Sequence, residues 1–215
     1  MTQIQPSTAS RPRDWRSLML VSWGFGAGWA LCWFGGCWLS GRAPERIDGS
    51  FEWERGIPFV AAALPIYLSL DLAMLLLPMP FRSGRDIAPL ALTLLAQSVV
   101  AAVCFAIFPL RTGFTERPEG IWGEAFGFIG LPNLGENGYA PSLHVAFAVT
   151  IAACLGWRWG GWRRLGLPLW AAGVAVSTVL VHEHLVIDAL TGAALGLATI
   201  PLLRRLEGRW PPETH

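Results

Sequence analysis

The sequence contains no lysine, so arginine supplies all 16 of its basic side chains. Charged residues of both signs make up only 14% of the 215 residues, against roughly a quarter in a typical soluble domain. This shortage of charge argues against a soluble globular protein. The formal net charge of only +1 also excludes the strongly basic surface that nucleic-acid binding requires, so no nucleic-acid partner is expected.

Cysteine is scarce as well, and no two cysteines have the paired short spacing that holds zinc. All four lie inside apolar runs, where we interpret them as small core or lipid-facing side chains: Cys32, Cys37, Cys104 and Cys154. A disulfide between Cys32 and Cys37 is disfavoured, because a helix places residues five apart on different faces.

Apolar residues, in contrast, are abundant. They make up 53% of the chain, its mean hydropathy is +0.44, and it contains 12 tryptophans, which points to lipid as the surrounding solvent. An α-helix needs roughly 20 apolar residues to cross the hydrocarbon core of a bilayer. Six runs meet or approach this length: 18–39, 57–77, 87–110, 141–157, 165–181 and 185–203.

These runs predict an all-α integral membrane protein, a six-helix bundle in residues 18–206 with tails at residues 1–17 and 207–215. The first run follows several arginines, as the core of a secretory signal does. It is longer than a typical signal core and lacks a small-residue cleavage site, so we interpret it as a span.

The arginines predict the orientation of the bundle, because positively charged short loops stay in the cytoplasm. With six spans, 11 arginines fall on the side of both termini: Arg11, Arg13, Arg16, Arg82, Arg85, Arg158, Arg163, Arg164, Arg204, Arg205 and Arg209. Five fall on the opposite side: Arg42, Arg46, Arg55, Arg111 and Arg117. Both tails are therefore expected to be cytoplasmic, and an odd number of spans would scramble this asymmetry.

Three of the four histidines, His144, His182 and His184, lie at the ends of spans on the non-cytoplasmic side. His184 and Asp188 are four residues apart, so on a helix they share a face and the carboxylate can orient the imidazole. A histidine oriented in this way can act as a nucleophile or a base. The alternative is that Asp188 is only a favourable acid in the first turn of a helix. His182 would face elsewhere on a continuous helix.

Pro141 and Ser142 open the fourth run, as residues at a helix start commonly do. The N–H groups of such a start can bind an anion, and His144 would lie within reach to protonate a leaving oxygen. The alternative is a simple helix cap. Arg111 and Arg117, in the preceding outer loop, suit phosphate because guanidinium groups donate several hydrogen bonds, although both are equally compatible with solvated loop positions.

These residues resemble motifs of the type 2 phosphatidic acid phosphatase superfamily, which also includes the vanadium haloperoxidases. The third motif of that family is Ser-Arg, five residues, His, three residues, Asp. It is similar to Ser177, His184 and Asp188 here, with Thr178 in place of the arginine. The second motif, Pro-Ser-Gly-His, is similar to a run of four residues here: Pro141, Ser142, Leu143 and His144.

The first motif of the family, Lys, six residues, Arg-Pro, is the weaker match. Arg117 and Pro118 fit its end, but Leu110 stands at the lysine position and Arg111 is one residue too close. The leucine and threonine replacements in the other two motifs look like the inositol phosphorylceramide synthase and sphingomyelin synthase branch.

The resemblance implies that His184 attacks phosphorus to form a phosphohistidine, that Asp188 orients it, and that His144 protonates the departing alcohol. Water or a second alcohol then releases the phosphoryl group, and the family implies no metal or other cofactor. The groups implied to bind the phosphate are Ser142, Ser177, Arg111 and Arg117.

The missing motif cations and the neighbouring Glu183 leave less positive charge than the family pattern has. We therefore expect a phosphodiester or another substrate of modest charge, or Arg111 as a substitute cation. Asp71, inside the second run, lies nearer its cytoplasmic end, and a structural or interfacial role is expected for it.

Other polar and small residues inside the runs are expected to serve packing. Gln97 in the third run is expected to make polar contacts between helices. Gly192 and Gly196, four residues apart in the last run, are expected to allow a close helix contact.

The leading interpretation is an integral membrane enzyme that hydrolyses a lipid phosphate at the outer face, which in a bacterium is the periplasmic face of the inner membrane. A phosphotransferase of the same family differs only in its acceptor. Two other classes stay open. One is a non-enzymatic membrane protein, and the other is a metal site formed by His144, His182, His184 and Asp188. The headgroup, the acceptor and the oligomeric state do not follow from the sequence.

Overall fold

The computed structural model describes residues 12–111, 114 and 140–210. Six α-helices lie in this part of the chain, one in each predicted apolar run: α1 (Trp15–Gly41), α2 (Leu64–Leu75), α3 (Gly84–Ile107), α4 (Leu143–Trp159), α5 (Arg163–Leu180) and α6 (Val186–Arg209). Of these helices, α1, α3 and α6 are long and apolar enough to cross a membrane by length and composition. The chain is a mostly helical membrane protein, and the count of six spans stays a prediction.

The second predicted run forms a shorter helix than expected. Residues 57–60 are irregular, Ala61–Ala63 is a 3₁₀ turn, and α2 begins only at Leu64. Pro65 falls in the first turn of α2, where a missing N–H costs no hydrogen bond. As a consequence Asp71 lies about two turns from the start of its helix.

Among the described residues, two very short strands interrupt the all-α architecture. β1 (Ile47–Asp48) pairs in parallel with β2 (Leu110–Arg111). Sequence periodicity does not reveal strands of two residues, because alternation needs a longer run. The pairing brings the chain after α1 and the chain after α3 together at one end of the bundle, and a 3₁₀ helix, Glu52–Gly56, follows β1.

The core of the bundle is built around α4, which contacts α3, α5 and α6, whereas α1 packs along α3 and α2 packs on α5. The Gln97 amide of α3 donates to the hydroxyl oxygens of Thr150 at 2.6 Å and Thr199 at 2.5 Å. This confirms the expected polar contact between helices. Large side chains in the buried core include Phe81, Phe105, Phe147, Ile151 and Leu203.

Two glycines set the distance between α4 and α6. A Cβ on Gly192 would overlap the carbonyl oxygen of Ser142, and a Cβ on Gly196 would lie 2.8 Å from the Cβ of Val149. The predicted close helix contact is therefore confirmed. It brings the first turns of both helices together, at the end of the bundle that holds the histidines.

The arginine-rich segments meet at the other end of the bundle. The guanidinium of Arg13 donates to the carbonyl oxygen of Met79 at 3.0 Å. Arg158, at the end of α4, pairs with Asp86 in the first turn of α3 and lies 4.0 Å from Glu207, near the end of α6. This is the end of the bundle that the arginine count predicts to be cytoplasmic.

Candidate active site

His144 and His184 meet where α4 and α6 begin. Their ring centroids are 6.3 Å apart, with the ring planes inclined by 55°. The backbone N–H of Ser142 donates to the carbonyl oxygen of Asp188 at 3.0 Å, which joins the starts of the two helices. Residues of the second and third motifs therefore form one site.

The turn between α5 and α6 positions His184. The carbonyl oxygen of Thr178 accepts the N–H groups of both Glu183 and His184, each at 3.1 Å. Leu185 is extended, and α6 begins at Val186. His184 therefore precedes the helix, and a turn rather than a continuous helical face brings it to Asp188.

Asp188 is fully buried, and its carboxylate serves two groups. Oδ2 accepts the N–H of Leu185 at 2.9 Å and lies 3.5 Å from Nδ1 of His184. Asp188 thus caps the first turn of α6 and also faces the imidazole. The two interpretations of Asp188, as a partner of His184 and as a favourable acid in the first turn of a helix, therefore describe the same arrangement. With Nδ1 on the side of Asp188, Nε2 is the ring atom on the opposite side.

His144 is held by α2, which the sequence analysis had not connected with the site. The ring of Tyr67 stacks on its imidazole with centroids 4.5 Å apart and planes inclined by 11°. Oδ1 of Asp71 lies 3.7 Å from Nε2 of His144. Asp71 was expected nearer the cytoplasmic end of its run, with a structural or interfacial role. Because α2 starts later than predicted, at Leu64, Asp71 lies close to the histidine.

The two serines assigned to phosphate binding lie beside the site in different roles. Ser142 is buried and caps α4, its Oγ accepting the N–H of Val145 at 3.4 Å. Ser177 is buried inside α5, where its hydroxyl donates to the carbonyl oxygen of Val174 at 2.7 Å. The helix-cap alternative for Ser142 is thus present in the structure, and the phosphate roles of both serines stay proposals.

Arg111 lies beside an acid, Asp48. Its guanidinium lies 4.0 Å from Oδ2 of Asp48 and its side chain is 61% exposed. Asp48 also accepts hydrogen bonds from the Ser50 hydroxyl and amide and from Arg55. These groups hold the pKa of the Asp48 carboxyl below its ordinary value, with the Ser50 hydroxyl contributing most. Arg117 lies outside the described residues.

His182 turns away from the site. Its backbone adopts a positive φ of 60° after the end of α5. The ring contacts the carbonyl oxygen of Ile57 at 2.9 Å and stacks on Phe114 with centroids 4.0 Å apart. In the part of the chain that the structure describes, no group of three or more His, Cys, Asp or Glu side chains is arranged to hold a metal ion. The grouping of His182 with His144 and His184 required by the metal-site alternative is not present there.

Glu54 is a buried acid that the sequence analysis missed. It is fully inaccessible, its Oε1 accepts the N–H of Val186 at 2.6 Å, and its Oε2 accepts the N–H of Phe51 at 2.6 Å. The carboxylate therefore ties the 3₁₀ helix after β1 to the first turn of α6. No local signal marks it, because its second partner is 132 residues away in the chain.

A cavity of about 850 Å³ opens beside the two histidines, lined by side chains of α1, α2, α3 and α4. Its polar end is formed by His144, His184, Asp71 and Glu183, and the rest of its wall is largely apolar. Within the described ranges no arginine lines this cavity. The site thus combines two imidazoles, two carboxylates and a long apolar wall.

The fold and the site define a helical membrane protein with a paired-histidine centre at one end of its bundle. The model of the PAP2 superfamily matches residues 87–211, which is more than half of the chain. The chain therefore belongs to the PAP2 superfamily, and this supports an enzyme of phosphatase or phosphotransferase type acting on a phosphate ester. No curated protein and no solved structure matches the chain.

Proposed function

We propose that the protein is a membrane lipid-phosphate phosphatase that hydrolyses a phosphate ester at the outer face through a phosphohistidine on His184. The observation that carries the proposal is the meeting of His144 and His184 at the polar end of one cavity, with ring centroids 6.3 Å apart. The proposal needs a phosphoryl group in contact with both rings, because one histidine attacks phosphorus and the other protonates the departing oxygen.

In the first step Nε2 of His184 attacks phosphorus, and the bond from phosphorus to the lipid oxygen breaks. Asp188, 3.5 Å from Nδ1, stabilises the positive charge that develops on the ring. The imidazolium of His144 gives its proton to the departing lipid alcohol. The products of this step are the free alcohol and a phosphohistidine.

In the second step water attacks the phosphohistidine. His144, now neutral, takes a proton from the water, and the bond from phosphorus to Nε2 breaks. A phosphate monoester then yields inorganic phosphate, and a phosphodiester yields its phosphorylated headgroup. The second step regenerates both histidines in their starting states. The cycle needs only side chains of this protein and water.

Binding of the phosphoryl oxygens is proposed for Ser142, Ser177, Arg111 and Arg117. The two carboxylates at the polar end of the cavity oppose a doubly charged phosphate, so a phosphodiester or another substrate of modest charge fits the site better. Activity is expected to fall in Arg111→Ala and Arg117→Ala. Unchanged activity in both variants would remove the arginines from the proposal.

A phosphotransferase related to inositol phosphorylceramide synthase is the second candidate. The largely apolar wall beside the histidines favours it, because an acceptor lipid there competes with water for the phosphohistidine. Leu143 and Thr178, which stand in place of the glycine and the arginine of the family motifs, agree with this second candidate. An enzyme of this kind transfers a phosphorylated headgroup only when an acceptor lipid is supplied.

We also propose that all six helices cross the membrane, with both termini cytoplasmic and the histidines at the outer face. The contact of Arg13 with Met79 and that of Arg158 with Asp86 lie at the opposite end of the bundle, among the basic segments, which supports this orientation. In a bacterium the histidines would face the periplasm. Reporter fusions after each helix test the orientation, and an active external reporter after α6 would contradict it.

The decisive experiment measures the release of inorganic phosphate or of a phosphorylated headgroup from a panel of lipid phosphomonoesters and phosphodiesters by the purified protein in detergent, with and without a chelator. His184→Ala is expected to abolish release, and the chelator is expected to leave it unchanged. His182→Gln is the matched control, because His182 contacts Ile57 and Phe114 rather than the cavity, and it should retain activity.

The outcomes separate the candidate functions. Release that survives in His184→Ala would contradict the phosphohistidine. Transfer to an added acceptor lipid without hydrolysis would favour the phosphotransferase. If neither reaction occurs with any lipid, the non-enzymatic interpretation is favoured.

A further inference from the structure

The turn between α4 and α5 is rich in tryptophan and arginine and contains no acid. Residues 157–164 read Trp-Arg-Trp-Gly-Gly-Trp-Arg-Arg. α4 ends at Trp159 and α5 begins at Arg163, so the connection between the two helices is short. Gly160 and Gly161 have positive φ values of 65° and 59°, which glycine adopts at little cost. The turn is therefore tight, and it brings its aromatic and basic side chains together.

Two arginines stack on the tryptophans of this turn. Cζ of Arg163 lies 5.5 Å from the ring centroid of Trp159 and 5.6 Å from that of Trp162. Cζ of Arg204, near the end of α6, lies 3.7 Å from the ring centroid of Trp157. These five residues are called the Trp/Arg cluster. A guanidinium that stacks on an aromatic face keeps N–H groups at its edge, so it can still donate to a phosphate.

The positive charge of the cluster is not neutralised by the described part of the chain. Arg158, in the same turn, is largely buried and pairs with Asp86. Arg163 and Arg204 are exposed, and among the described residues neither forms an ion pair with a carboxylate. Their guanidinium groups are therefore available to a partner from outside the chain.

The exposed tryptophans indicate where this partner lies. Trp159 is 45% exposed and Trp162 is 76% exposed, and tryptophans of membrane proteins concentrate at the boundary between lipid and water. Arg204 belongs to the last turns of α6, which is long and apolar enough to cross a membrane. Both observations place the cluster at the level of the lipid headgroups.

The cluster is remote from the paired histidines. His144 lies in the first turn of α4, whereas Trp157 and Trp159 lie in its last turn. The 17 residues of this helix extend over about 25 Å. The cluster lies at the end of the bundle that the arginine count predicts to be cytoplasmic, and the cytoplasmic leaflet carries anionic phospholipids.

We propose that the Trp/Arg cluster binds the headgroup of an anionic phospholipid. Arg163 and Arg204 donate to the phosphate oxygens, and the tryptophan rings contact the glycerol and the nearest part of the acyl chains. The lipid is a bound partner at this site and is not a substrate there. The inference rests on the membrane class of the protein and is independent of the proposed phosphohistidine chemistry.

Arg42 allows a matched control. Its Cζ lies 3.8 Å from the ring centroid of Trp38, so it forms the same kind of stack, but at the opposite end of the bundle. Arg163→Gln/Arg204→Gln removes two positive charges from the cluster. Arg42→Gln/Arg46→Gln removes two positive charges from the other end, so the two double variants have the same net charge.

The test measures the affinities of dioleoyl phosphatidylglycerol and dioleoyl phosphatidylcholine for the purified protein in detergent, by native mass spectrometry. A basic side chain near an anionic lipid surface contributes about fivefold in affinity, so wild type should prefer phosphatidylglycerol by about tenfold or more. Arg163→Gln/Arg204→Gln should reduce this preference to within about twofold, and Arg42→Gln/Arg46→Gln should keep it. Equal affinity of wild type for both lipids, or equal losses in the two variants, would overturn the proposal.

Two further measurements address the source of the phosphate and the folding of the variants. Soluble glycerol phosphate should displace phosphatidylglycerol poorly, because it lacks the acyl chains; displacement as effective as that by the lipid itself would assign the cluster to a free phosphate instead. Raising the salt concentration should weaken the lipid preference of wild type, because salt screens exposed charges. This measurement needs no variant, and a preference unchanged by salt would contradict the role of the arginines.

Discussion

Oδ1 of Asp71 lies 3.7 Å from Nε2 of His144, and the ring of Tyr67 stacks on the same imidazole. Both partners come from α2, and His144 belongs to α4. The distance is too long for a hydrogen bond but suits an ion pair when the imidazole is protonated. α2 thus holds the histidine proposed to protonate the leaving alcohol.

Asp71→Asn tests whether this carboxylate positions His144. The amide is neutral and cannot stabilise the imidazolium, so kcat for phosphate release should fall about tenfold while KM changes little. Asp71→Glu keeps the charge and should recover part of the loss. A change confined to KM, or an Asp71→Asn variant as active as wild type, would contradict a positioning role.

Glu54→Gln tests the carboxylate that caps α6. Its side chain accepts the N–H groups of Phe51 and Val186, and losing one of these acceptors should cost about 1–3 kcal/mol of stability. Glu54→Ala should cost more, because both N–H groups lose their partner. Thermal unfolding in detergent measures both effects.

The neighbouring Glu52→Gln is the matched control for Glu54. It lies on the same 3₁₀ helix but is exposed, and it should stay within about 0.5 kcal/mol of wild type. Equal losses of stability in the Glu52 and Glu54 variants would mean that the cap on α6 is not the cause.

Gly192→Ala tests the close approach of α6 to α4. The added methyl group would overlap the carbonyl oxygen of Ser142, and a backbone atom cannot move aside cheaply, so a loss of about 1–3 kcal/mol is expected. Activity should fall as well, since Ser142 joins α4 to Asp188. In Gly208→Ala, on the same helix, the methyl group meets no atom within 4 Å, and this variant should be as stable as wild type.

Asp48→Asn tests the group that holds Arg111, through the pH dependence of stability. The pKa of the Asp48 carboxyl is lowered in the folded protein, so the ionised form stabilises the fold above its unfolded pKa of about 3.9. The stability difference from Asp48→Asn should be full at neutral pH and should disappear as the pH falls through the lowered folded value. Because Asp48 and Arg111 are both exposed, solvent screens their interaction, and the stability difference between wild type and Asp48→Asn should stay below about 1 kcal/mol. A difference that does not change between neutral pH and about pH 3 would point to another cause.

Features with a local signature in the sequence were predicted well. Each apolar run contains a helix, and the glycine contact on α6 and the contacts of Gln97 are confirmed. The spacing of His184 and Asp188 also predicted their proximity. The two residues were predicted to share one face of a helix, but His184 lies in the turn before α6, and this turn brings it to Asp188.

Features that depend on distant parts of the chain were missed. Asp71 was noticed only as a charge inside an apolar run, and nothing in its neighbourhood indicated His144 as its partner. The pairing of β1 with β2, which places Arg111 beside Asp48, had no local signal either. Glu54 had no signature at all.

The sequence by itself determined that the chain is an apolar helical protein and which short motifs are proposed to carry its chemistry, because hydrophobic periodicity and residue spacing act over a few turns of chain. Only the tertiary structure decided which side chains surround those motifs. The stacking of Tyr67 on His144, the cap that Glu54 forms on α6 and the cavity between α1 and α2 all depend on how closely separate helices pack. That distance is set by side-chain volume and glycine contacts across the whole bundle, which no local pattern contains.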